Sequence, residues 1–127
     1  MAHTLVAIRT DVTYPTFEGS ERGGRLLPPC PITSTDMPDE EWIPVVAREN
    51  WTIISRDQAI QRRTAEKAAV RQHGAKMFAI AAPGQLRSWD LLRLTLRHWD
   101  VIEASCDQDG PFIYRLTMTN AELVPLD

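Results

Sequence analysis

The sequence is poor in the features that mark several protein classes. It has 2 cysteines, Cys30 and Cys106, which fit neither a disulfide framework nor a metal-binding spacing and favour a reducing, cytosolic setting. No apolar run approaches the roughly 20 residues that a membrane span needs. The opening MAHTLVAIRTD lacks the basic, apolar and cleavage regions of a signal peptide. We therefore expect a cytoplasmic protein without a membrane span.

An excess of positive charge is also missing. The chain has 14 Lys and Arg residues against 17 Asp and Glu residues, a net charge of −3. This balance excludes binding to nucleic acid through bulk positive charge, so any such contact must use a local basic patch. The 127 residues, 43% of them hydrophobic and 24% charged, are typical of one globular domain, and we expect a single domain over residues 1–127.

Strands and helices alternate along the middle of the chain. Apolar runs predict buried strands at residues 51–55, 76–81 and 112–118. Capping residues and apolar spacing predict helices from about residue 36 to 50, from Thr64 to Gly74 and from 88 to 104. Because the middle strands are apolar without strict alternation, this order predicts a parallel sheet with helices on its faces.

Two further predictions concern the ends of this pattern. Residues 9–14 read as a strand, and the proline- and glycine-rich residues 15–35 read as one long loop. In the helix predicted at 88–104, the apolar residues recur every three or four positions. This spacing predicts one buried face, with Trp89 and Trp99 as core anchors. The residues of that face are Trp89, Leu92, Leu96, Trp99 and Ile102.

A group of charged residues flanks the first buried strand. The acids Asp36, Asp39 and Glu40 lie at the predicted start of the preceding helix, and Asp57 follows the strand at 51–55. Carboxylates at such positions can converge on Mg²⁺ or Mn²⁺, which can lower the pKa of a bound water and neutralise a phosphodiester. Nearby arginines can hold phosphates. The same residues also have purely structural interpretations, because acids stabilise helix starts, Asp caps turns and arginines solvate helix faces.

Residues 38–81 resemble the PIN-like domains, part of the PIN nuclease superfamily that includes the VapC-type toxins of bacterial toxin–antitoxin pairs. The matching features are a helix opened by D-x-x-W-I, a strand ending in S/T-R-D, an A-E-x-x-A helix and a G-x-x-x-F strand. The GPFIY of residues 110–114 also resembles the C-terminal strand of this group.

This resemblance implies a three-layer α/β/α fold with a central, mostly parallel sheet. It implies metal-dependent cleavage of RNA by a toxin component, with Mg²⁺ or Mn²⁺ as cofactor and an antitoxin protein as partner. Asp39 and Asp57 match the catalytic, metal-binding acids, and Asp36 and Glu40 are additional candidates for the same cluster. Arg56 matches the basic residue beside the strand-end acid, and Arg62 and Arg63 are candidate RNA contacts.

The start of the chain departs from the family. The family opens with a strand that ends in an acid, whereas residues 3–14 resemble the end of the next helix and the second strand. We therefore expect an N-terminally truncated domain whose natural start lies upstream; alternatively, residues 4–8 are the first strand and Asp11 supplies the acid. A missing acid favours a second hypothesis, a non-catalytic RNA- or protein-binding module. A missing strand favours a third, a remnant that pairs as a homodimer through the exposed sheet edge.

Overall fold

The computed structural model describes residues 12–22, 24–56, 64–81 and 86–126. The chain divides into two compact units, Met1–Pro38 and Asp39–Asp127. The described part of the first unit contains strands β1 (Ser20–Arg22) and β2 (Arg25–Leu27). The second contains α1 (Asp39–Arg48), β3 (Thr52–Ser55), α2 (Thr64–His73), β4 (Lys76–Ile80), α3 (Ser88–Arg97), α4 (Trp99–Cys106), β5 (Phe112–Leu116) and β6 (Ala121–Val124). None of the described helices is long and apolar enough to cross a membrane.

The first unit contains a hairpin where the sequence predicted a loop. Strands β1 and β2 pair antiparallel, with Ser20 opposite Leu27, and Gly24 between them has a φ of 77°. That left-handed conformation suits the tight turns of hairpins, so Gly24 marks a turn within the predicted loop at 15–35. The strand predicted at 9–14 is wrong for residues 12–14, which are not extended in a sheet, and its other residues lie outside the described part.

The second unit is built on a sheet with the strand order β3-β4-β5-β6. The pairs β3–β4 and β4–β5 are parallel, and β6 adds antiparallel to β5. All five side chains of β4 are buried, as expected for a strand that is covered on both faces. The prediction of a mostly parallel sheet is confirmed.

One face of the sheet packs against α1 and α2. Met77 of β4 and Ile113 of β5 lie in a fully buried cluster with Ile43 of α1 and Val70 of α2. Residues along a strand point alternately to opposite faces, so this face takes every second residue of β4. The hydrophobic burial of these side chains holds the two helices on the sheet.

The opposite face packs against α4 and carries an aromatic cluster. Phe78 lies 5.3 Å from Tyr114, ring centroid to ring centroid, in a stacked arrangement. The Nζ of Lys76 donates a hydrogen bond of 2.7 Å to the carbonyl of Cys106, the last residue of α4. An ammonium group at this position also complements the negative end of the helix dipole. Helices therefore cover both faces, which confirms the three-layer α/β/α fold.

The helices α1 and α2 end as their sequences predict. Asn50, after α1, has a φ of 57°, and Gly74, after α2, has a φ of 67°. Both residue types tolerate the left-handed conformation that commonly ends a helix. Helix α1 begins at Asp39, after the start predicted near residue 36.

The single helix predicted at 88–104 is instead two helices. His98, between α3 and α4, has φ −99° and ψ 8°, and its ring Nε2 donates a hydrogen bond of 2.7 Å to the carbonyl of Thr117. His98 is buried, so this bond holds the junction of the two helices against the end of β5. A contact so distant in sequence cannot be inferred from local helical periodicity.

The buried face of α3 also differs from the predicted one. Leu91, Leu94 and Thr95 are buried, whereas Trp89 is 66% exposed and Leu96 is 50% exposed. The prediction that Trp89 is a core anchor is therefore wrong. Helix α3 has apolar side chains on two faces, and only one of them is buried.

We expect Gly110→Ala to destabilise the second unit strongly. A Cβ at Gly110 would lie 2.9 Å from the carbonyl oxygen of Ala75 and would also overlap the carbonyl of Gly74. Because backbone atoms cannot rotate away, we expect the free energy of unfolding to fall by about 1–3 kcal/mol or more. Chemical denaturation measures this change.

The matched control is Gly74→Asn. Nothing lies within 4 Å of a Cβ at Gly74, and asparagine tolerates its left-handed φ of 67°. We expect this variant to lose less than about 1 kcal/mol. Equal losses in the two variants would contradict the overlap described for Gly110.

Candidate functional site

Asp39 is the first residue of α1, and its carboxylate is held by the helix's own tryptophan. The Nε1–H of Trp42 donates a hydrogen bond of 2.8 Å to the Oδ1 of Asp39. The ring of Trp42 packs against the core cluster below α1, so the donor has a fixed position. The spacing of three residues places both side chains on one face of the helix. The carboxylate of Asp39 is therefore half-buried and oriented.

Asp39 lies at the same end of the sheet as the end of β3. Residues 49–51 join α1 to β3, and the N–H of Trp51 donates a hydrogen bond of 3.2 Å to the carbonyl of Val46. Since α1 also packs against the core that contains β3, the helix runs back alongside the strand. The start of α1 and the exposed Arg56, which follows β3, thus face the same edge. Ligand sites in parallel sheets gather at this carboxyl edge.

A third charged residue at this edge is absent from the predicted site. Glu66 lies in the first turn of α2, the helix that returns from the carboxyl edge to the start of β4. Its side chain is only 8% exposed and takes part in an interaction within the chain. Buried charges need such partners. The sequence signal was available, since Glu66 is the acid of the A-E-x-x-A motif.

Two other predicted site residues, Asp36 and Glu40, are exposed. Asp36 belongs to the first unit and is exposed, and its backbone N–H donates a hydrogen bond of 3.1 Å to the Ser34 hydroxyl. Glu40 is exposed on α1. The residues Asp57, Arg62 and Arg63 lie outside the described residues, and their roles stay predictions.

The described residues do not by themselves complete a metal site. Among residues 12–22, 24–56, 64–81 and 86–126, no three His, Cys, Asp or Glu side chains form a group that could hold a metal ion. The carboxylate of Asp39 is the type of hard oxygen donor that Mg²⁺ and Mn²⁺ prefer. The donor chemistry therefore fits, but a bound ion would need further ligands, for which Asp57 is the predicted source.

Comparison with known proteins gives one family match. A family model described as "PIN like domain" matches residues 22–82, a segment that contains α1, β3, α2 and β4. No curated protein and no solved structure matches the chain. The matched segment includes the oriented Asp39 carboxylate and the first parallel strand pair. Residues 22–82 of this chain are therefore similar to a PIN-like domain.

Proposed function

We propose that this protein is a ribonuclease of PIN-like type that depends on a divalent metal ion. The match of residues 22–82 to a PIN-like domain suggests a nuclease-type superfamily, and the proposal extends this to RNA cleavage. The observation that carries it is the Asp39 carboxylate, oriented by Trp42 at the carboxyl edge of the sheet. In this proposal, Asp39 and Asp57 are the catalytic carboxylates that hold Mg²⁺ or Mn²⁺, with Asp36 and Glu40 as additional candidate ligands.

The residues around Asp39 would have distinct roles in this reaction. A bound divalent ion would supply an activated water and neutralise the charge that develops on the phosphodiester. The guanidinium of Arg56 is exposed at the same edge and suits binding of the RNA phosphate backbone. Arg62 and Arg63 are proposed to extend this phosphate contact. Trp42 would position the Asp39 carboxylate without touching the substrate.

The resemblance to VapC-type proteins supports a biological role as well. We include in the proposal that the protein is the toxin component of a toxin–antitoxin pair, neutralised by a small antitoxin protein. Controlled expression in a bacterial host tests this role: growth should stop with the unaltered chain and continue with Asp39→Asn.

A second candidate function is a non-catalytic PIN-like module that binds RNA or a protein. It is favoured by the lack of a group of three metal-binding side chains in the described part of the chain. Calorimetric titration with Mn²⁺ separates the candidates, because only the nuclease needs the ion. RNA binding without Mn²⁺ binding would support the module over the enzyme.

We expect Asp39→Asn to lower the rate of Mn²⁺-dependent RNA cleavage by about 100-fold or more. Loss of the ligand's charge costs several kcal/mol of metal and transition-state stabilisation, and each 1.4 kcal/mol is about tenfold in rate. Cleavage of a labelled RNA at fixed Mn²⁺ measures the effect. Asparagine keeps an oxygen that can accept the bond from Trp42, so the fold should be preserved.

The control for this prediction is Glu49→Gln, which removes an exposed carboxylate just after α1. Its cleavage rate should stay close to that of the unaltered chain. Full Mn²⁺-dependent cleavage by a variant with both Asp39→Asn and Asp57→Asn would overturn the proposed mechanism.

Trp42→Phe tests the positioning role of the indole. Phenylalanine keeps an aromatic ring against the core but removes the Nε1–H that orients Asp39. Removal of a group that orients a metal ligand typically weakens metal affinity about 10–100-fold. We expect a shift of this size in the Mn²⁺ concentration for half-maximal binding, measured by electron paramagnetic resonance, with most of the rate restored at saturating Mn²⁺.

The matched control is Trp51→Phe, which makes the same change at a half-buried tryptophan outside α1. Its Mn²⁺ affinity should be unchanged. If Trp42→Phe binds Mn²⁺ as tightly as this control, the hydrogen bond to Asp39 has no role in metal binding.

A further inference from the structure

Helix α3 exposes large side chains on the face opposite its buried residues Leu91, Leu94 and Thr95. Trp89 is 66% exposed and Leu96 is 50% exposed, and the exposed Arg93 lies between them in the helix. The spacing of i, i+4 and i+7 aligns the three residues on one side of a helix. We call Trp89, Arg93 and Leu96 the α3 face.

A shallow cleft lies beside the α3 face. It is lined by Asp90, Arg93, Leu94 and Arg97 of α3 and by Met118, which follows β5 and is 46% exposed. Met118 directly follows Thr117, whose carbonyl accepts the hydrogen bond from His98 at the end of α3. The exposed apolar surface thus continues from the helix onto the loop after β5.

The charge of this cleft is positive in an otherwise acidic chain. The cleft is lined by two arginines, Arg93 and Arg97, and by one carboxylate, Asp90. The whole chain, by contrast, has a net charge of −3. Neither arginine forms an ion pair with another residue in the described part of the chain. Two guanidinium groups therefore remain available to carboxylates from outside.

The residue types point to a protein as the occupant. Tryptophan, methionine and arginine are enriched at the centres of protein interfaces, where a few such residues supply most of the binding energy. Single-stranded RNA could stack a base on Trp89, but the aliphatic Leu96 and Met118 offer no comparable surface to a base. The apolar pair Trp89 and Leu96 has the i, i+7 spacing of the anchors with which amphipathic helices dock.

The charges argue against a second copy of this chain on the same surface. In a two-fold symmetric pair the same patch is used by both copies, so Arg93 and Arg97 would approach the positive cleft of the other copy. Like charges brought together in an interface cost affinity. A partner of opposite charge fits better.

We propose that the α3 face and its cleft bind an amphipathic helix of an acidic partner protein. Apolar side chains of that helix pack on Trp89, Leu96 and Met118, and its carboxylates pair with Arg93 and Arg97. This binding is independent of RNA cleavage, since it uses α3 and the loop after β5 rather than Asp39.

A defined set of peptides tests the proposal. Helix-stabilised, labelled peptides of about 16 residues, or four to five turns, carry Leu, Ile or Phe at i, i+4, i+7 and i+11 and Glu at the flanking positions. A second set is identical except that Lys replaces each Glu. Fluorescence anisotropy with the full chain measures binding. We expect micromolar binding for members of the Glu set and at least about tenfold weaker binding for their Lys counterparts.

Two variants locate the binding on the α3 face. Trp89→Ala and Arg93→Glu should each weaken binding of the Glu peptides by about tenfold or more. Both residues are exposed, so thermal melting should show that each variant folds as the unaltered chain does. The matched control is Arg48→Glu, which reverses an exposed arginine of α1, a helix that does not line the cleft. It should leave peptide binding unchanged.

Several results would overturn the proposal. Equal binding of the Glu and Lys sets, or no binding of either, would show that this surface does not select an acidic helix. Full peptide binding by Trp89→Ala would place the contact elsewhere. A single-stranded RNA of about 12 nucleotides whose binding, unlike that of the peptides, requires Trp89 would assign the surface to nucleic acid. A dimer in light scattering that dissociates on Trp89→Ala would assign it to a second copy.

Discussion

Strand β4 is paired along both of its edges and buried along its whole length. Both pairings are parallel, so β3, β4 and β5 end at one edge of the sheet, and α1 and α2 begin there. Asp39, Arg56 and Glu66 are thus gathered at one end of the unit by the direction of the strands. The hydrophobic burial that stabilises β4 is therefore also the constraint that places the candidate site.

Within that edge, Asp39 shows why acids at helix starts are ambiguous from sequence alone. A carboxylate in the first turn stabilises any helix through the helix dipole. Asp39 differs because of Trp42, one turn later in the helix. The ring of Trp42 packs against the core cluster, and its Nε1–H donates a hydrogen bond that orients the Asp39 carboxylate. The D-x-x-W spacing therefore has a physical meaning, while the exposed Glu40 beside Asp39 has no corresponding donor in the described part of the chain.

The elements predicted well are those decided by short-range chemistry. Strands β3 and β4 are apolar runs, and α1 and α2 end at Asn50 and Gly74 because these residues adopt the left-handed conformation cheaply. The hairpin of β1 and β2 was missed because proline and glycine mark loops and tight turns alike. Of the predicted site residues, Asp39 and Arg56 face one edge. Glu66 was present in the A-E-x-x-A motif but was not assigned to the site, and its burial in the fold is what distinguishes it from the other acids.

The sequence alone determined the alternation of strands and helices, the PIN-like motifs and the position of the helix-opening acid, because each depends on neighbouring residues. The tertiary structure decided which surface of α3 is buried. That helix has apolar residues on two faces: Leu91 and Leu94 are buried, whereas Trp89 and Leu96 are exposed. At its end, the hydrogen bond from buried His98 to the Thr117 carbonyl joins the helix to the residue that follows β5. Periodicity detects both faces equally, and only a contact between distant residues chooses between them.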